Sequence, residues 1–206
     1  MHNKLVNFVQ DIYRTKEFIP LHAPTFSGNE KKYVNSTIDS TFVSSVGKYV
    51  EQFEQQIEEY TGAKKAVATV NGTAALHIAL YMAGVKAGDL VITQALTFVA
   101  TCNAVKYCSA EPVFIDVDRD SLGMSPSSLR AFLEKNVELK EGQAWNKITG
   151  RRISGCLPMH TFGSLANMDQ LLVICNDYNI PLIEDAAESL GSTLNGKHAG
   201  TFGMLG

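Results

Sequence analysis

The sequence predicts an α/β fold: a mostly parallel sheet with helices on both faces. Two observations predict it. From residue 66 onward, short apolar strand-like runs alternate with helical patterns, the signature of strands joined by crossover helices. With 206 residues, 45% hydrophobic and 19% charged, the chain also has the composition and length to build one good-sized core.

The elements follow in order. The opening stretch "MHNKLVNFVQDIYRTKEF" puts Leu5, Phe8, Val9 and Ile12 on one helical face. An extended segment, "FIPLHAPTF", comes next, and a second helix is expected around "VEQFEQQIEEY". We divide the chain into an N-terminal helix and arm, residues 1 to 30, and a body, residues 31 to 206. In the body, "AVATV" (66 to 70) reads as the first strand and "AALHIALYMAGV" (74 to 85) as the helix after it. "LVITQAL" (90 to 96) leads into a helix through Cys108, and "PVFIDVD" (112 to 118) is the next strand. Ser125 is placed to cap a helix that has Pro126 at its first position. Residues 136 to 152 read as a polar excursion with a turn at Thr149-Gly150. A strand over 153 to 160, a helix over 168 to 179 and a strand over 180 to 185 complete the series. "TLNGKH" carries the Asn-Gly signal of a tight hairpin.

A net charge of -3 gives no electrostatic reason to expect nucleic acid or an anionic membrane as partner. No stretch has the continuous apolar length of a membrane span, and Asp11 interrupts anything resembling a signal peptide. Cys102, Cys108, Cys156 and Cys175 stand singly, without C-x-x-C or metal spacing, and read as reduced core residues of a cytoplasmic protein.

Three constellations could carry chemistry. "ATVNGTAALHIAL" is a strand, a turn and a helix opening on Gly72 and Thr73. A helix N-terminus of this kind either binds one phosphate or is merely capped by Asn71 or Thr73. Dinucleotide and Walker A glycine patterns are absent. "ALTFVATCNAV" puts Thr97 and Phe98 at the carboxyl end of a strand, where open α/β sheets bind ligands. Phe98 could stack on a flat ring or cap the core. "NIPLIEDAAESLGS" ends a strand on Glu184 and Asp185 before small residues. A strand-end aspartate meets a cation, a metal or an N–H group, or caps the next turn. A protonated pyridine nitrogen would be one such cation.

In this order and spacing, "NGTAAL", "LTFVATCNAV" with "PVFIDVD", "PMHTFG" and "IEDAAESLGSTLNGKHAGTFG" resemble the DegT/DnrJ/EryC1/StrS family of pyridoxal-phosphate-dependent sugar aminotransferases. The likeness runs from about residue 18 to the last residue and implies the large domain of a fold-type I transferase, with the C-terminal small domain absent. It implies that Gly72 and Thr73 hold the phosphate of pyridoxal 5'-phosphate, Phe98 stacks on its ring, and Asp185 pairs with the ring nitrogen. Glu184 is then structural. Glu188 stands where many members have Gln or His near the ring hydroxyl. Ser44, Ser45 and Gly47, in "TFVSSVG", match positions on the substrate side, and His160, in "MHTFG", matches a recurrent family histidine that is either structural or on the substrate side.

The resemblance implies transfer of an amino group from an amino acid such as glutamate to a nucleotide-linked 4-keto-6-deoxy sugar. The branch acting on UDP sugars in routes to legionaminic acid or bacillosamine is the nearest likeness within the family. The resemblance also implies a homodimer. The family's Schiff-base lysine has no counterpart up to Gly206, so no catalytic residue is assigned. Lys197 lies in the "NGKH" hairpin instead. The uncharged ending "HAGTFGMLG" reads as the interior of an element, so we expect a chain cut short of that lysine and inactive alone. Alternatives are a sugar 3-dehydratase of the same family, with histidine for lysine, and a non-catalytic cofactor- or sugar-binding fragment.

Overall fold

The computed structural model describes residues 2 to 20 and 23 to 206. Two positions of the expected extended arm, Leu21 and His22, lie outside the described residues, as does Met1. The chain divides into two compact units, Met1–Gly47 and Lys48–Gly206.

The first unit holds helices α1 (His2–Tyr13) and α2 (Glu30–Asp39). As the apolar spacing predicts, α1 carries Leu5, Phe8, Val9 and Ile12 on one face, and none of its described residues is buried. Helix α2 was not anticipated. Its sequence, "EKKYVNSTID", carries only the short stripe Tyr33, Val34 and Ile38, and its N-cap Asn29 makes no side-chain capping bond.

The second unit opens with α3 (Lys48–Thr61), where the second helix is expected. Residues 66 to 70 correct the sequence reading: they form no strand. The amides of Ala66 and Ala68 donate to the side chains of Glu58 (3.1 Å) and Glu54 (2.7 Å) on α3. Val67 and Val70 are 74% and 88% exposed. An apolar run becomes a strand only when a neighbouring backbone takes its hydrogen bonds, and here side chains do part of that work.

Helix α4 (Gly72–Met82), strand β1 (Leu90–Gln94), helix α5 (Val99–Tyr107) and strand β2 (Glu111–Ile115) follow the predicted alternation. Helix α6 (Pro126–Asn136) starts as read from sequence, with Ser125 Oγ accepting from the Ser128 amide. The polar excursion is a second correction. It contains a hairpin, β3 (Val137–Lys140) and β4 (Gln143–Asn146), turning at Glu141-Gly142, where both residues have positive φ. The period-2 burial of "QAWN", with Ala144 and Asn146 inward, is hidden in the sequence by flanking polar residues. The turn at Thr149-Gly150 is present: Asn146 Oδ1 accepts from the Thr149 amide, and Gly150 has φ 65°.

Strand β5 (Arg152–Cys156) pairs with β1 in parallel and with β4 antiparallel, giving the order β2-β1-β5-β4-β3. Beyond Cys156 the chain stays in the sheet plane, as Leu157 N donates to Ile92 O at 2.7 Å. Helix α7 (Met168–Asp177) leads to residues 180 to 185, which make isolated parallel bridges rather than a full strand. Their bonds are nonetheless strand-like: Ile183 N donates to Cys156 O, and Met204 N to Leu182 O. The hairpin β6 (Thr193–Leu194) and β7 (Lys197–His198) turns at Asn195-Gly196, both at positive φ, as predicted.

Alternate residues of the strands feed two cores. Leu90, Ile92, Ile153 and Leu182 pack with Leu129 and Leu133 of α6 and Leu171 and Ile174 of α7. Val91, Leu157 and Ile183 pack on the opposite face with Leu76 and Leu80 of α4 and Ala104 and Val105 of α5. Helices therefore cover both faces, and the central strand β1 is buried on both sides. All four cysteines are free; Cys156 and Cys175 are buried, whereas Cys102 and Cys108 are only half-buried. Among the described residues no helix is long and apolar enough to cross a membrane.

Candidate functional site

The site is built at the carboxyl ends of β1 and β5. Gln94, the last residue of β1, is buried and ties the surrounding loops together. Its Nε2 lies within donating distance of Leu96 O, Leu122 O and Thr161 Oγ1, and its Oε1 accepts from the Met159 amide. Sequence reading missed Gln94, although a glutamine ending an apolar strand is a signal of the same kind as a terminal carboxylate.

Immediately after β1, Thr97 and Phe98 lead into α5, with Phe98 as the N-cap residue and 64% exposed. The Phe98 amide donates to Met159 Sδ at 3.3 Å. Met159 in turn bridges Asp185 in parallel register. Phe98 and Asp185 are thus both held against the same short segment. The exposed ring excludes the reading of Phe98 as a cap on the core.

Asp185 is 3% exposed. Its Oδ2 accepts a 2.6 Å bond from Thr101 Oγ1 of α5, and its Oδ1 a 3.3 Å bond from the Ala187 amide. Both donors are neutral. Thr101 was not singled out from the sequence, because 84 residues separate it from Asp185.

The neighbouring carboxylate is treated differently. Glu184 is fully buried and accepts from His160 Nε2 (3.0 Å), Gly200 N (2.9 Å), Phe202 N (2.6 Å) and Gly203 N (2.7 Å). Burial alone would raise its pKa. The bonds from His160 and from the Gly203 and Gly200 amides outweigh burial and hold the carboxyl below its ordinary value. Glu184 is structural, as the sequence reading has it, and what it structures is the glycine-rich segment 200 to 203. That segment is close-packed: a Cβ at Gly203 would lie 2.5 Å from Leu182 O.

The contacts of His160 favour the structural of its two readings. It is fully buried, its Nδ1 accepts from the Ala166 amide at 3.3 Å, and its Nε2 faces Glu184. An Nδ1 that accepts assigns the proton to Nε2. Both nitrogens are engaged within the chain, which leaves no atom for a substrate.

Gly72 and Thr73 form the first turn of α4. Asn71 caps the helix, its side chain accepting from Ala74 N at 2.9 Å. The cap takes the third amide, while those of Gly72 and Thr73 are the first-turn donors that a helix cannot satisfy internally. A Cβ at Gly72 would meet nothing within 4 Å, so the space over this turn is open. Helix α4 packs against α5, which carries Thr101. Glu188 is exposed and spends Oε2 on the Phe162 amide at 2.9 Å. Lys197 Nζ lies 4.8 Å from the centroid of the Phe202 ring. Ser44, Ser45 and Gly47 close the other unit, where both serines are exposed and Gly47 packs near the Phe42 ring. Among the described residues no cluster of His, Cys, Asp or Glu could hold a metal ion.

These residues fit a flat cationic ring bearing a phosphate. The open amides at α4 suit the anion, the exposed Phe98 suits a ring face, and Asp185 is a buried carboxylate whose donors among the described residues are neutral, which suits a charged N–H.

The chain is 40% identical to EpsN of Bacillus subtilis, a proposed pyridoxal phosphate-dependent aminotransferase, over 91% of this chain and 46% of that protein. It is 37% identical to a GDP-perosamine synthase of Caulobacter vibrioides, over 90% of this chain and 46% of that protein. It spans about half the length of these curated relatives. Among solved structures, an aminotransferase from Psychrobacter cryohalolentis superposes with TM-score 0.76 at 31% identity, covering 91% of this chain and 43% of that one. A GDP-4-keto-6-deoxymannose-3-dehydratase, whose structure holds a trapped pyridoxal phosphate-glutamate geminal diamine, superposes with TM-score 0.74 at 27% identity, over 91% and 46% of the two chains. The fold is accordingly that of the fold-type I pyridoxal-phosphate enzymes. With residues 24–206 matching its model, the chain belongs to the DegT/DnrJ/EryC1/StrS aminotransferase family.

Proposed function

We propose that this chain forms the cofactor-binding part of an enzyme that transfers an amino group from an amino acid, glutamate by preference, to a nucleotide-linked 4-keto-6-deoxy sugar. The observation that carries the reading is Asp185, a buried carboxylate whose donors among the described residues are neutral and which, like the exposed Phe98, is held against Met159. When bound, pyridoxal phosphate supplies an electron-withdrawing ring that stabilises negative charge on the carbon being aminated or deaminated. Asp185 holds the proton at the ring nitrogen that makes the ring electron-withdrawing. Gly72 and Thr73 hold the phosphate through their amides and the Thr73 hydroxyl, Phe98 covers one ring face, and Glu188 lies near the ring hydroxyl. Ser44, Ser45 and Gly47 meet the nucleotide sugar. The complete enzyme is a cytoplasmic homodimer without nucleic-acid or membrane partners. These 206 residues alone, with no Schiff-base lysine assigned, bind the cofactor without turning over.

Mixing the purified chain with pyridoxal phosphate tests this: saturable binding without an imine that borohydride makes permanent is expected. Absence of saturable binding would sink the reading. A second reading, a sugar 3-dehydratase, is favoured by the likeness to the GDP-4-keto-6-deoxymannose-3-dehydratase. Product mass separates the two, since transamination replaces the ketone by an amine and dehydration removes the 3-hydroxyl.

A further inference from the structure

Two threonine hydroxyls lead into the Asp185 carboxylate. Thr101, the third residue of α5, is fully buried and lies 2.6 Å from Asp185 Oδ2. Thr97 Oγ1 lies 2.7 Å from Thr101 Oγ1. An ionised carboxylate only accepts, so the single Thr101 proton goes to Asp185, and Thr101 must accept from Thr97. Met159 Sδ, 3.2 Å from Thr97 Oγ1, flanks the pair. The result is a directed chain, Thr97 to Thr101 to Asp185, in which each bond polarises the next.

The two Asp185 oxygens are not equivalent. Oδ2 is tied by a short bond from a buried helical side chain, and Oδ1 has, among the described residues, only the 3.3 Å bond from Ala187 N. We propose that Thr101, held by Thr97, is a positioning residue for Asp185: it fixes the carboxylate by Oδ2 and so presents Oδ1 to the protonated pyridine nitrogen. This rests on the reading of Asp185 given above. A hydroxyl that merely satisfied a buried acid would affect folding and leave the ring nitrogen unchanged.

The test uses the purified protein with pyridoxamine 5'-phosphate labelled with nitrogen-15 at the ring, which binds without a lysine. Dissociation constant and ring-nitrogen chemical shift are measured for the parent and for Thr101→Val, Thr101→Ser, Thr97→Val and Asp185→Asn. Thr101→Val should bind about tenfold more weakly, as expected for loss of a bond to a charged group, with the resonance displaced toward the unprotonated position. Thr101→Ser should restore both, and Thr97→Val should move both less, in the same direction. Parental values in Thr101→Val alongside disturbed values in Asp185→Asn would overturn the positioning role alone. Parental values in Asp185→Asn would overturn the reading of Asp185 as well. If Thr101→Val does not fold, Thr97→Val decides: parental affinity and shift there overturn the relay.

Discussion

Glu184 and Asp185 are adjacent, equally hidden from solvent and opposite in use. The first gathers four donors from two segments, and the second has two, both neutral. A buried carboxylate with every lone pair engaged is a structural clamp, whereas one with spare accepting capacity suits a ligand that brings its own charge. Successive side chains of an extended segment point to opposite sides. Glu184 therefore faces the glycine-rich segment and Asp185 faces α5.

The largest expected effect breaks this contrast at its satisfied side. Glu184→Ala strands three amides and the His160 N–H in the interior and should cost about 3–5 kcal/mol, read from the urea midpoint. The same carboxylate sets an acid limit. Its folded pKa is depressed, so its stabilisation is complete above the ordinary carboxylate range and is lost as pH falls through the lower folded value. A urea-midpoint series should be flat near neutrality and fall in acid, and Glu184→Gln should remove part of that fall. Next in size, Gly203→Ala drives a methyl against Leu182 O, 2.5 Å away, and should cost about 1–3 kcal/mol in the same measurement.

Asp185→Asn sharpens the other side of the comparison. Asparagine keeps the shape and an acceptor for Thr101, so folding should change by about 1 kcal/mol or less, while cofactor affinity falls. A stability loss as large as that of Glu184→Ala would erase the distinction. A similarly small effect is expected at the phosphate end: Asn71→Ala removes the α4 cap and should cost about 1 kcal/mol, seen as a small drop in melting temperature. Phosphate binding should survive it, because the Gly72 and Thr73 amides remain.

Much of this was legible in advance where the signal is local. The Ser125-Pro126 helix start and the Asn195-Gly196 turn were read correctly because each is decided within a few residues. Residues 66 to 70 and the β3–β4 hairpin were misread for the converse reason. A strand needs a partner backbone: the first run lacks a full ladder despite its apolar side chains, and β3 and β4 find one despite their polar ones. Asp185 and Phe98 were legible as strand-end residues, but Thr101, Gln94 and the enclosure of His160 were not.

By itself the sequence determined the α/β alternation, the helix caps, the tight turns and the family motifs, because periodicity and backbone preference act over a handful of residues. Only the tertiary structure decided which of two adjacent carboxylates is clamped and which has spare capacity, and that a threonine 84 residues away holds the second. Those facts depend on which donors packing brings within 3 Å of each oxygen, and no spacing along the chain encodes that directly.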